Sequence, residues 1–149
     1  MLDLQELYQE VIVDHNRSPR NFQKLEDANR TAEGYNPLCG DQLTVYMKVV
    51  DDIIEEVTFE GAGCAISVAS ASLMTLQIKG KREEAASALF QGFHKMVTEE
   101  GEQPPDKSMG KLAVLAGVKR FPSRIKCATL CWHTMKAAMK GDKETVVTE

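Results

Sequence analysis

The sequence predicts an α+β fold, a single domain in which a small antiparallel three-stranded sheet is covered by helices. Residues 43–49 and 54–59 alternate in polarity with the two-residue period of strands, and only a short Asp51-Asp52 turn separates them, which signals a hairpin. On either side, several segments repeat their apolar residues at helical spacing. Bulk composition agrees: 149 residues with 43% hydrophobic and 27% charged side chains match ordinary globular usage. That excludes disordered and collagen-like chains and suits one core over residues 1–149.

Taken in order, Leu4, Leu7, Tyr8, Val11 and Ile12 form one face of a first helix over 3–15, with Asp3 and Glu6 as its capping signal. Pro19, Gly34 and Pro37 among polar residues make 16–38 mostly loop, with a short strand near Thr31 to Tyr35. In the hairpin, Leu43, Val45, Met47 and Val49 alternate with Thr44, Tyr46 and Lys48, and Ile54, Glu56 and Thr58 alternate with Glu55, Val57 and Phe59. After Gly61-Ala62-Gly63, Ile66, Ala69, Leu73, Met74 and Leu76 share one side of a helix that stops at Gly80. Cys64 therefore lies where a strand passes into a helix amino terminus. A helix over about Glu83 to Thr98 buries Ala86, Leu89, Phe90, Phe93 and Val97, and Gly101 to Asp106, with Pro104-Pro105, is a polar linker too short to separate domains. A short helix over 108–118 is broken by Phe121-Pro122-Ser123. Ser123 then caps a last helix to about Lys140, and the final nine residues are polar and frayed.

Charge and hydropathy narrow the function. With 18 basic and 22 acidic residues the net charge is −4, which argues against a nucleic-acid binder held by phosphate contacts. No apolar run approaches the roughly 18 residues of a membrane span, and Met1 to Glu6 lacks a signal-peptide pattern, so a cytoplasmic location is expected. In that reducing setting the four cysteines, Cys39, Cys64, Cys127 and Cys131, are ligands, nucleophiles or core residues in preference to disulfides.

Three of them share one kind of setting. Cys39 lies in Asn36-Pro37-Leu38-Cys39-Gly40-Asp41, Cys64 follows Gly61-Ala62-Gly63, and Cys127 begins the last helix. Turns and helix amino termini present unpaired N–H groups and the positive end of the helix dipole, which favour thiolate, the form that binds metal and attacks sulfur. Asp41 can reach the same point in space as Cys39. Three thiolates and a carboxylate suit a tetrahedral zinc site or an incomplete iron–sulfur shell. Around a divalent ion that set carries a net charge of about −2, which Arg124 and Lys126 could offset. Any one cysteine alone is best read as a small core hydrophobe, and there is no zinc-ribbon Cys-x-x-Cys pair; the three settings together point toward a site.

Cys39-Gly40-Asp41, Gly61 to Ser67 and Arg124 to Leu130 resemble the three signature segments of the IscU-like (NifU N-terminal) family of iron–sulfur scaffold and sulfur-acceptor proteins. The resemblance runs from the first helix to the last. It is nearer to the SufU branch than to IscU proper. Cys64 and Cys127 are 63 positions apart, longer than in IscU by several helical turns; Lys126 stands where IscU has a histidine ligand. Val118-Lys119-Arg120-Phe121-Pro122 occupies the region of the IscU chaperone-recognition segment. The resemblance implies zinc held by Cys39, Asp41, Cys64 and Cys127, a SufS-type cysteine desulfurase as partner, and Cys39 as the accepting cysteine. A partner histidine would capture the zinc and free Cys39, and the sulfur would pass to downstream iron–sulfur assembly machinery. The alternative within the family is a non-enzymatic scaffold that builds a transient iron–sulfur cluster on the same cysteines.

Arg124 is an expected participant: a cation at a helix start opposes the dipole, and its guanidinium can stabilise a thiolate or persulfide anion. Lys126 takes the same reading more weakly. Cys131, one turn after Cys127, is either a resolving thiol or, more simply, a core residue; Trp132 is a core anchor or a partner contact. His94 and His133 are placed on the surface, and His15 is placed where its charge would favour the carboxyl end of the first helix. Glu83-Glu84 and Glu99-Glu100 are solvated charge. No histidine accompanies a cysteine in a hydrolase-like motif, and a purely structural zinc domain is opposed by the loop position of Cys39 and its basic neighbours.

Overall fold

A computed structural model describes residues 4–98, 107–141 and 145–147. Helix α1 (Leu4–Arg17) leads through a loop to β1 (Arg30–Asn36), β2 (Asp41–Val50) and β3 (Ile53–Ala62), followed by α2 (Ala65–Ile78) and α3 (Glu83–Thr98). A 3-10 segment, Lys107–Arg120, and a single 3-10 turn, Pro122–Arg124, precede α4 (Ile125–Lys140), and Val146–Val147 forms β4. The α+β class holds, but the sheet has four strands in the order β3-β2-β1-β4. Val146 and Val147 pair in parallel with Gly34 and Tyr35, so part of the tail expected to fray instead covers the edge of β1. The linker over Gly101 to Asp106 and the pair Glu99-Glu100 lie outside the described residues.

The hairpin forms where the alternation places it, with Asp51 and Asp52 both in the left-handed region (φ 51° and 65°). Its second strand departs from simple alternation. Lys48 pairs with Glu56 but Val49 pairs with Ile54, so a bulge skips Glu55 and turns Ile54 to the same buried side as Val57 and Phe59. One face of the sheet therefore carries Leu43, Val45, Met47, Val49, Ile54, Val57 and Phe59 into the core.

Helix α2 is buried on most sides, because α1, α4, β3 and the 3-10 segment all pack on it. Ser67, Ser70, Ser72 and Thr75 are as buried as Leu73, Met74 and Ile78, whereas Leu76, expected inside, is 47% exposed. The segment after α3 is 3-10 rather than α-helical, broken at Gly110. Its buried residues, Leu112, Leu115 and Val118, recur every third position, the repeat of a 3-10 helix. Ser123 does not cap α4: it lies exposed in the 3-10 turn, and Arg124 takes the N-cap position without a side-chain capping bond. Trp132 is a core anchor, fully buried and stacked on Phe93 (centroids 5.0 Å apart) and Phe90 (6.1 Å). His94 is exposed as expected, while His133 is half-buried with its ring edge-on to Phe90.

His15 also differs from its expected role. It is buried, and its Nδ1 lies 2.7 Å from Ser72 Oγ, which accepts from the Arg20 N–H at 2.8 Å. Ser72 Oγ can give a proton to Nδ1 or take one from it, so this bond suits a neutral ring in either tautomer. Burial lowers the pKa of His15, with Arg20 and Lys111 acting in the same direction and Asp14 partly offsetting them. Because the folded value lies below the unfolded value of about 6.5, the unfolded chain binds more protons between the two. This contribution to stability is complete above about pH 6.5 and is lost as pH falls through the folded pKa. Melting temperatures between pH 7 and 5 should accordingly fall less steeply in His15→Gln than in the wild type, with a residual slope from His133, whose pKa burial also lowers. An unchanged slope would contradict the neutral, buried assignment.

Candidate metal centre

Asn36 and Asp41 face each other as the last residue of β1 and the first of β2, so residues 37–40 form a tight turn at one end of the sheet. Cys39 rides on this turn, half-buried, beside Leu38, which is 64% exposed. Gly40 closes the turn at φ +72°, a conformation costly for side chains with a Cβ. Cys64 is the N-cap of α2, two residues beyond β3, and Cys127 is the third residue of α4 and fully buried. The turn and two helix amino termini therefore converge, and neither helix start carries a side-chain cap of its own.

The side chains meet closely. Ligand atoms of Cys39, Asp41 and Cys127 all lie within 4.8 Å of one another. The Sγ atoms of Cys39 and Cys127 are 3.1 Å apart, and Cys64 Sγ stands 4.0 Å from Asp41 Oδ2 at the edge of the group. Arg124 Nη1 donates to Cys39 Sγ at 3.2 Å. Asp41 is fully buried, and its Oδ1 accepts the backbone N–H of Cys64 at 2.7 Å. The close approach depends on Gly63, where a Cβ would collide with the Asp41 carboxylate. Tetrahedral zinc bound at about 2.0–2.3 Å has ligand–ligand edges of roughly 3.3–3.8 Å, so the donor set and its spread fit such an ion.

Proton placement is uneven. The Cys64 thiol is lowered to about 6, first by its hydrogen bond with Cys127, against the cost of burial, with the N–H groups of Ser67 and Ile66 at the start of α2 assisting. Cys127 is raised by the same pairing and by burial, so the pairing favours negative charge on Cys64 over Cys127. Arg124 is held more firmly protonated by Cys127 and by the charges of Cys39 and Cys64.

Cys131 is not part of the cluster. It is buried in the core with Sγ 3.4 Å from Ser70 Oγ, and burial pushes its thiol up to about 12. Lys126 is half-buried one position before Cys127, and the side-chain bond to the cluster comes from Arg124 instead. Asn36, unremarked in the sequence beyond its place in the turn segment, is buried against both Asp41 and Cys127.

Fold and site together define a class: an α+β domain that gathers three cysteines and a carboxylate at one end of its sheet, donors suited to zinc or to iron with sulfide. Comparison with known proteins turns that class into a family. The profile described as NifU-like N terminal domain matches residues 7–128, and the chain belongs to that family. It is 45% identical over 140 residues to the zinc-dependent sulfurtransferase SufU of Bacillus subtilis (strain 168), covering 93% of this chain and 91% of the relative. It is 42% identical over 137 residues to the iron–sulfur cluster assembly scaffold protein IscU of Streptococcus pyogenes serotype M1, covering 92% and 85%. A crystal structure from Fervidobacterium islandicum AW-1, assigned as an iron–sulfur cluster assembly scaffold for the SUF system, superposes with a TM-score of 0.83 at 35% identity, covering 89% of this chain and 96% of that one.

Proposed function

We propose that this protein is a zinc-dependent sulfur acceptor in iron–sulfur cluster biogenesis, taking persulfide sulfur from a SufS-type cysteine desulfurase and relaying it to the assembly machinery. The observation that carries this reading is Cys39: a thiol on an exposed turn, bonded to an arginine 3.2 Å away and packed into no core. Similarity to a SufU named as zinc-dependent supports it. Cys39, Asp41, Cys64 and Cys127 would hold the ion, which when bound keeps thiols deprotonated at neutral pH and shields them from oxidation. In the transfer itself, the Cys39 thiolate attacks the outer sulfur of the donor persulfide. The new S–S bond forms at Cys39 as the donor S–S bond breaks, the donor cysteine leaves as thiolate, and no net oxidation occurs. Arg124, already on Cys39 Sγ, then balances the persulfide anion.

Arg124→Ala should slow persulfide transfer on the order of tenfold, the loss of one charge-assisted hydrogen bond, without changing the melting temperature by more than a few degrees. Single-turnover transfer kinetics beside a thermal melt check this; normal kinetics would remove Arg124 from the site. The scaffold reading is favoured by one specific observation, similarity to several proteins named IscU. Metal analysis after aerobic purification separates the two. About one tightly bound zinc per chain supports the acceptor, whereas a reconstituted cluster that passes intact to an apo-protein supports the scaffold.

A further inference from the structure

The Asp41 carboxylate is oriented by more than its own strand. Asn36 is fully buried, and its Nδ2 donates to Asp41 Oδ2 at 3.1 Å and lies 3.5 Å from Cys127 Sγ. Its Oδ1 accepts the Leu38 N–H at 3.3 Å. One amide therefore uses both its donor and its acceptor ends within the site, and none of its bonds goes to Cys39. The Cys64 N–H takes one lone pair of Oδ1 and Asn36 takes one of Oδ2, so the carboxylate is held at both oxygens and keeps one free lone-pair direction on each for a metal.

We infer that Asn36 is a positioning residue that orients the Asp41 carboxylate as a metal ligand and ties it to Cys127. This rests on the metal reading of the four residues given above. Its physical basis is general: ligand carboxylates are held by outer hydrogen bonds, and loss of such a bond weakens metal binding about 10–100-fold. The Cys39 thiol is held differently, by Arg124 at 3.2 Å, on a turn whose tip faces solvent. The hydrogen bonds of the site thus fall into two groups: Asn36, Asp41, Cys127 and the Cys64 N–H in one, and Cys39 with Arg124 in the other.

Two substitutions separate ligand orientation from loop anchoring. Asn36→Asp keeps an oxygen for the Leu38 N–H but removes the donor to Asp41 and Cys127; Asn36→Ala removes both. Zinc affinity is measured by chelator competition, Co(II) is added to each protein as an absorption probe, and the metal-free proteins are melted. The expected result is a wild type binding one ion with strong thiolate-to-cobalt absorption. Both variants should bind about 10–100-fold more weakly, with visible cobalt bands altered as the carboxylate leaves its wild-type orientation. Wild-type affinity and bands in Asn36→Asp, with loss only in Asn36→Ala, would make Asn36 a loop anchor and overturn the inference. So would collapse of the metal-free fold in both variants, which would make its role structural. Failure of the wild type itself to bind zinc or cobalt through thiolates would overturn the metal reading, and this inference with it.

Discussion

Cys39→Ala should abolish persulfide acceptance, reducing sulfur transfer to the background of direct exchange, while the domain stays folded. The effect is large because the reacting atom itself is removed; Cys64 is a helix cap at the edge of the group, and Cys127 is fully buried and out of reach of a partner's persulfide. Stability should change little, because Cys39 is half-buried on a turn beside exposed Pro37, Leu38 and Gly40, and its contacts are with Arg124 and Cys127 at the site. Mass spectrometry after incubation with a loaded desulfurase checks this, as the wild type gains one sulfur and the variant gains none. Undiminished labelling of Cys39→Ala would remove Cys39 from the role.

The largest effect on stability is expected at Trp132. Its ring is fully buried between Phe90 and Phe93, and truncation to alanine leaves a cavity in the layer where α3 meets α4. Large-to-small changes of this kind cost about 3–5 kcal/mol, a large share of the roughly 5–15 kcal/mol that holds a domain folded. Trp132→Phe should cost much less. The indole Nε1 is buried without a hydrogen-bond partner among the described residues, so removing it relieves a desolvated donor and offsets part of the lost area. Denaturant unfolding followed by far-ultraviolet circular dichroism checks both variants. A cost for Trp132→Phe equal to that for Trp132→Ala would show that the indole nitrogen has a partner worth keeping.

How much of this was legible in the sequence depends on whether the signal was local. Helix α3 has the five buried residues that its apolar spacing marks, and the Asp51-Asp52 hairpin turns where alternation says it should. The face of Ile54 was not legible, because a bulge is a pairing event between two strands and leaves no trace in the periodicity of one. Burial of the polar side of α2 was hidden for a similar reason: four elements surround it, and serines and threonines look like a solvent face until a packing partner is known. The three-residue repeat of Leu112, Leu115 and Val118 was present and could have identified a 3-10 segment. Val146–Val147 is too short a strand to announce itself without β1 beside it.

At the site, local settings and family resemblance together singled out Cys39, Asp41, Cys64, Cys127 and Arg124, and the structure brings all five to one end of the sheet. Asn36 carries no local signal, because its contact with Cys127 spans 91 residues of chain and does not depend on its neighbours in sequence. His15 takes a different role from the helix-end charge its position suggests for the same reason, since its partner Ser72 lies 57 residues away.

Zinc-dependent sulfur acceptance is tested by the turnover of a SufS-type cysteine desulfurase with this protein absent, zinc-loaded or metal-depleted. The zinc-loaded form should accelerate turnover and collect sulfur at Cys39, with little stimulation from the metal-depleted form. Equal turnover in all three conditions, with no sulfur on Cys39, would contradict it.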